Sequence, residues 1–325
     1  MLTRREMLQA VGAASSVLAL GVGAARAARA AAPTVKTAVD FEVPHGACDC
    51  HVHIFDPQKF PYSPERLYTP PEASIADLRD LQAALHLERV VIVTPSVYGT
   101  DNSCTLDAIR KLGPRARGIA VIGPSTTAAA LDEMAASGFR GVRLNFETAG
   151  ESDPANVKRQ LDAVATQLRG RDWHIQLNTN LAVIAALKDE LAALPMPIVV
   201  DHFGRARAKD GLDQPGLDAL LALMKAGKAY VKISAPYRVG VKAPDFPDAL
   251  PVAQTIIAAN PDRIVWGSNW PHPGRGNSRL EIAPPYPNDD GLVLNQLPKW
   301  VPNPAMRKTI LVDNPARLYG FAAAT

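Results

Sequence analysis

The sequence predicts one (β/α)8 barrel, TIM-like and of the α/β class, preceded by a cleaved signal segment. Two observations carry the barrel. Eight short β-branched or apolar runs alternate with helix-length stretches along 325 residues, and polar residues cluster where those runs end. A third observation excludes the nearest rival, an open doubly wound sheet. Such a sheet would present a glycine-rich phosphate turn after the first strand, and Gly46–Pro57 has none.

The elements follow in chain order. Residues 1–32 read as a twin-arginine-type signal peptide: Arg4-Arg5 stands before an uncharged run to Ala25, and small residues surround Arg26 and Arg29. This predicts export to the periplasm and removal of the segment. Residues 33–45 read as a linker between Pro33 and Pro44, and residues 46–325 as the barrel. Strands are predicted at 46–53, 89–94, 117–122, 141–146, 173–178, 197–202, 229–234 and 263–268. Helices are predicted between them at 75–87, 106–112, 128–137, 155–169, 181–194, 216–226 and 249–260, with a last one near 305–319.

Composition bounds the function. A hydrophobic content of 47% is ample for a large core. The net charge of +3 resides in the first thirty residues, where Arg4, Arg5, Arg26 and Arg29 stand against Glu6, so the body is close to neutral. A nucleic-acid-binding stripe and a polybasic membrane anchor are thereby excluded. No later apolar stretch is long enough to span a bilayer, which argues against membrane insertion after signal cleavage. The three cysteines, Cys48, Cys50 and Cys104, give no disulfide framework and read as packing residues.

Chemistry concentrates at three strand ends. The first carries Asp49-Cys50-His51-Val52-His53; strict alternation would put Asp49, His51 and His53 on one face, with Cys48, Cys50 and Val52 on the other. The sixth ends in Asp201-His202-Phe203-Gly204-Arg205, and the eighth in Trp266-Gly267-Ser268-Asn269-Trp270-Pro271-His272. In a barrel these ends form one rim. These three motifs together resemble the amidohydrolase superfamily. With Gly138–Phe146 and Tyr98-Gly99-Thr100-Asp101-Asn102, the chain is similar to the branch of 2-pyrone-4,6-dicarboxylate lactonase, sulfomuconolactone hydrolase and galactarolactone isomerase. The resemblance runs from about Gly46 to the carboxyl terminus.

Two departures from the superfamily pattern matter. Its hydrolases usually end the eighth strand with an aspartate that takes a proton from water, and Asn269 stands there; an amide can orient or donate but cannot deprotonate. Metal-dependent members place a histidine after the fifth strand, where this chain has Asn178, and the fourth strand offers Arg143 and Asn145 rather than a bridging lysine or carboxylate. His51, His53 and His202 could together hold zinc with one open position. The neighbouring arginines disfavour a cation, and the branch includes metal-free members, so a site without a metal cofactor is favoured.

Arg143, Arg205 and Arg238, each after a different strand, imply an anionic ligand, because a guanidinium captures carboxylate or sulfonate in two parallel hydrogen bonds. Ser96, Tyr98 and Thr100 resemble a substrate-carboxylate loop of the lactonase branch, and Asn178 completes the substrate-binding set. The expected partner is a small anionic lactone. His51, His53, His202 and Asn269 form the expected catalytic set: the histidines polarise the ring carbonyl, and His202, ahead of His272, is read as the base for attacking water. Two alternatives stay open. A substrate hydroxyl could attack in place of water, giving an isomerase, or the chain could be a non-catalytic periplasmic binder.

Overall fold

A computed structural model of the protein describes residues 35–323. The segment read as a signal peptide therefore lies outside the described residues. Eight strands follow in chain order: β1 (Cys48–Val52), β2 (Arg89–Val93), β3 (Ala116–Ala120), β4 (Phe139–Asn145), β5 (His174–Asn178), β6 (Ile198–Val200), β7 (Ala229–Ser234) and β8 (Ile264–Gly267). Each pairs in parallel with the next, giving the sheet order β1 to β8. The seam between β8 and β1 is joined beyond the strands, where Asn269 N–H donates to the His51 carbonyl and His53 N–H to that of Trp270. The predicted barrel is present, nearly closed, and the seam binds two of the histidine-bearing motifs to each other.

All eight predicted strands form; β2, β6 and β8 are β-branched runs, and the others mix apolar and polar residues that are mostly buried on the pleated surface. The helices pack outside. Ile75–Leu85 begins with a capping box from Ser74 and Asp77 and buries Leu78, Leu81 and Leu85. The stretch 181–194 is two helices, Leu181–Ala186 and Lys188–Ala193, broken at Leu187. The last predicted helix contains a wide turn at Thr309–Asp313 just before Pro315, whose missing N–H cannot continue the ordinary ladder. Two short helices that hydrophobic periodicity does not reveal, Asp290–Leu294 and Leu297–Trp300, follow the loop after β8.

The described part of the predicted linker is tied down. Thr37 Oγ1 donates to Asp289 at 2.7 Å, and the Asp40 N–H donates to Asn295 at 3.0 Å. Val35, Val39, Phe41 and Val43 pack on the core. This strap crosses so close to Gly291 that a Cβ there would meet the Thr37 carbonyl oxygen at 1.8 Å. Among the described residues no helix is long and apolar enough to cross a membrane.

Register shifts occur in two strand pairs, between Gly118 and Ile119 in β3–β4 and, next to the histidines, in β1–β2. The β1–β2 register shifts between Asp49 and Val52, a bulge that breaks the period of two. Cys48 and Cys50 therefore pack with Val91, Val93, Ile119, Val199 and Val265, while Val52 joins the outer core. Asp49 accepts from the N–H groups of His51 and Ser268 and pins β1 to the end of β8. It does not share the rim with His51 and His53. All three cysteines are buried and free, as packing residues would be.

Candidate active site

The strand ends converge on a cavity of about 420 Å³. His53 from β1, Arg143 and Asn145 from β4, Asn178 from β5, His202 and Arg205 after β6, Arg238 after β7 and Asn269 after β8 all line it. His51 lies beneath, fully buried, its ring 5.0 Å from that of His53 and 4.8 Å from that of His202. Gly267 makes room for it, since a Cβ there would meet the Cβ of His51 at 2.8 Å. His202, Arg205 and Asn269 all adopt positive φ. Such backbone costs about 1–3 kcal/mol per non-glycine residue and gathers at functional sites.

A layer of charge supports the cavity floor. Asp201 Oδ2 accepts from Arg143 Nε at 2.9 Å and from Gln176 at 3.1 Å. The Lys232 ammonium lies 3.8 Å from Asp201 Oδ1, while donating to Gln176 and to the Cys50 carbonyl at 2.7 and 2.8 Å. Burial works against the Asp201 charge, but His51, Arg143 and Lys232 outweigh it and hold the carboxyl well below its usual range. Burial brings Lys232 down to about 8, so it remains mostly an ammonium at neutral pH. It also depresses His51 to about 3 despite Asp201, and lowers His53 and His202 well below ordinary imidazole.

The three imidazoles are thus neutral, and for His53 a neighbour assigns the nitrogens. His53 Nδ1 lies 2.7 Å from the Val93 carbonyl. A carbonyl only accepts, so Nδ1 carries the proton and Nε2, facing the cavity, carries the lone pair. His202 Nδ1 is 2.8 Å from Ser234 Oγ. A serine hydroxyl both donates and accepts, so this bond serves either tautomer; when the hydroxyl donates, His202 carries its proton on Nε2. His51 Nδ1 lies 3.3 Å from Asp201 Oδ1 at a poor hydrogen-bonding angle.

Among the described residues, one group could hold a divalent cation: His51, Asp201 and His202, whose donor atoms lie within 4.8 Å of one another. This group takes Asp201 in place of the His53 of the sequence-derived trio; His53 keeps a free Nε2 lone pair, since its Nδ1 is committed to Val93. Neutral imidazoles and a carboxylate are suitable donor types, but the surrounding charge does not fit. A guanidinium and an ammonium already neutralise Asp201, and a dication would be added beside both.

Three predicted substrate contacts are not brought to the cavity. The Tyr98 hydroxyl turns into the core and accepts from the Asp56 N–H at 2.9 Å, and Thr100 is exposed elsewhere on the surface. Ser96 is one step removed, touching Tyr68, which does line the cavity. Sequence reasoning in turn missed Tyr68, Glu147, Arg275 and Tyr286 on the wall, and Gln176 and Lys232 beneath it. The lysine had a signal: in Ala229–Ser234 it shares the face of Ser234 inside an otherwise apolar strand.

The wall carries four guanidinium groups, Arg143, Arg205, Arg238 and Arg275, against one carboxylate, Glu147. Arg205 spends part of its charge on Glu147 at 3.3 Å, whereas Arg238 Nε has no hydrogen-bond partner. The amidohydrolase family profile matches residues 48–321, which includes every strand and every residue of this cavity. The chain belongs to the amidohydrolase family. Within the family it is 37% identical to 4-sulfomuconolactone hydrolase of Hydrogenophaga intermedia, over 87% of this chain and 91% of that protein. It is 30% identical to D-galactarolactone isomerase of Agrobacterium fabrum, over 87% and 94%. Among solved structures, a probable 2-pyrone-4,6-dicarboxylic acid hydrolase of Acinetobacter baumannii, with citric acid bound, superposes with a TM-score of 0.69 at 26% identity. That match covers 85% of this chain and all of that one.

Proposed function

We propose that this amidohydrolase opens a small lactone bearing one or more carboxylate or sulfonate groups, by attack of water on the ring carbonyl. The observation that carries the reading is the excess of guanidinium charge around two neutral imidazoles whose Nε2 atoms face one cavity. Arg205, Arg238 and Arg275 hold the anionic groups of the substrate. Arg143 and the Nε2–H of His202 donate to the carbonyl oxygen as it becomes an oxyanion. His53 Nε2 takes the proton from water, replacing His202 as the base because the Val93 bond leaves its cavity-facing nitrogen unprotonated. Relatives acting on sulfomuconolactone and a related protein with bound citric acid support the substrate class.

No metal is assigned a step. Were a cation held, His51, Asp201 and His202 would hold it and it would polarise the carbonyl; Arg143 and Lys232 beside Asp201 argue for chemistry without it. Asn269 favours a second reading, intramolecular attack by a substrate hydroxyl, since its amide orients but does not deprotonate. The test is turnover of 4-sulfomuconolactone, 2-pyrone-4,6-dicarboxylate and D-galactarolactone by chelator-treated protein. Ring opening of an acidic lactone without added metal is expected. Silence with all three, or activity only after zinc is restored, would overturn the proposal.

The arginine pair and small-residue run of residues 1–32 support export by the twin-arginine route to the periplasm. Replacing Arg4 and Arg5 by lysine is expected to keep the protein in the cytoplasmic fraction.

A further inference from the structure

Asn269 does not stand alone. Its Nδ2 donates to the Tyr237 hydroxyl at 2.7 Å, and that hydroxyl lies 3.4 Å from His272 Nδ1. His272 Nε2 in turn is 3.0 Å from Asp290 Oδ2. The other Asp290 oxygen accepts from Asn288 Nδ2 at 3.0 Å. His272 and Asp290 are buried, and neither lines the cavity. Nothing in the reaction described above uses them, and Tyr237 meets the cavity wall through Asn269 and by stacking on Tyr286 at 5.3 Å.

With a neutral His272 ring, counting hydrogens along the chain gives one arrangement. A carboxylate only accepts, so His272 Nε2 carries the proton and donates to Asp290. The Asn288 amide also lies 3.1 Å from Nε2 and gives one of its two N–H groups to Asp290. A lone pair on Nε2 would face the Asp290 carboxylate at 3.0 Å, which is repulsive, so Nε2 keeps the proton. In the neutral ring Nδ1 is then a lone pair, which accepts the Tyr237 O–H. With that proton committed, the tyrosine oxygen can only accept from Asn269, and the Asn269 amide cannot rotate end for end without facing a carbonyl oxygen to an oxygen lone pair. We propose that Asp290, His272 and Tyr237 are positioning residues that lock the Asn269 side chain with its carbonyl oxygen toward the substrate.

The consequence is specific. Asn269 Oδ1 becomes a fixed acceptor for one hydrogen of the attacking water and aims its nucleophilic lone pair while His53 takes the other hydrogen as a proton. This part rests on the acyl-transfer reading; the hydrogen count does not. Backbone supports the arrangement from both sides, since Asn269 and His272 are both at positive φ and the His272 N–H donates to the Asn269 carbonyl at 2.9 Å.

Two measurements test it separately. Nitrogen-15 spectra of histidine-labelled parent protein at neutral pH are expected to show His272 as the Nε2–H tautomer. The Nδ1–H tautomer or an imidazolium would overturn the relay whether or not any lactone is consumed. With the acidic lactone that the parent opens, Tyr237→Phe is expected to lower kcat about 10- to 100-fold, with KM changed less than about twofold. Adding Tyr237→Phe to Asn269→Ala is expected to cost nothing further, since both remove one interaction. An unchanged kcat in Tyr237→Phe, or losses that multiply in the double variant, would show that the hydroxyl does not act through Asn269.

Discussion

At the lower end of the barrel the interior is apolar: Val91, Val93, Ile119, Val199 and Val265 meet Tyr319 and Phe321 from the end of the chain. Arg117 there lies 4.6 Å from the Phe321 ring and spends its hydrogen bonds on backbone carbonyls. At the upper end the same strands present Arg143, His202, Arg238 and Asn269 to an open cavity, and Arg238 Nε has no partner. Both ends contain buried or half-buried arginine. The lower guanidinium is satisfied within the chain and holds the plug in place; the upper ones are left with capacity that only a ligand uses. What separates the two ends is the cavity the upper guanidiniums line, since Arg89 Nη1 and the Tyr319 hydroxyl at the lower end also lack hydrogen-bond partners but are packed in apolar surroundings.

That contrast is broken most forcefully at the imidazoles. His53→Ala is expected to lower kcat about 10²- to 10⁴-fold, the range for a lost acid or base, and His202→Ala about 10²- to 10³-fold for a lost oxyanion donor. Steady-state kinetics on the preferred lactone reads both; a parent-like kcat in His53→Ala would remove it from the mechanism.

Acid comes next. His51, His53, His174 and His202 all have folded-state values below their unfolded one, chiefly through burial. Below about pH 6.5 the unfolded chain binds protons that the folded one refuses, so stability falls as pH drops toward 3. Asp49, raised by burial to about 7, acts in the opposite sense between its unfolded value and pH 7, but it is one group against four. Thermal unfolding at pH 6.5 and 4.5 is expected to show a clearly lower midpoint at 4.5. A midpoint that rose would contradict the burial of neutral histidines.

At the other end, Phe321→Ala is expected to cost about 3 kcal/mol of stability, as for other buried aromatics, with kcat unchanged. Denaturant titration and kinetics on the same sample test the separation. Arg238→Ala should do the reverse: KM raised about 10- to 100-fold for the loss of a charged hydrogen-bonding partner, with little change in unfolding. A variant that unfolded easily but bound substrate normally would place Arg238 with the structural arginines.

The barrel was legible because period and chemistry coincide. Each of the eight strands is a short β-branched or apolar stretch set between helical ones, and His51, His53, His202, Arg143 and Asn269 sit at or near its end. What failed to be legible depends on long-range geometry. The β1 bulge reverses the alternation argument for Asp49 and the cysteines, and nothing in the order of residues 48–52 marks it. Lys232 meets Cys50 across 182 residues, and Asp290, at the start of a short helix, meets His272 in an irregular segment with no period to read. The loop 96–102 carries polar residues of a suitable type, yet the fold turns Tyr98 inward and Thr100 away.

The most direct test of the central claim uses water enriched in oxygen-18, with mass spectrometry of the products from 4-sulfomuconolactone and 2-pyrone-4,6-dicarboxylate. Attack of water on the ring carbonyl predicts one heavy oxygen in the carboxylate of the opened product after a single turnover. A rearranged lactone of unchanged mass, or an opened product without the label, would contradict it.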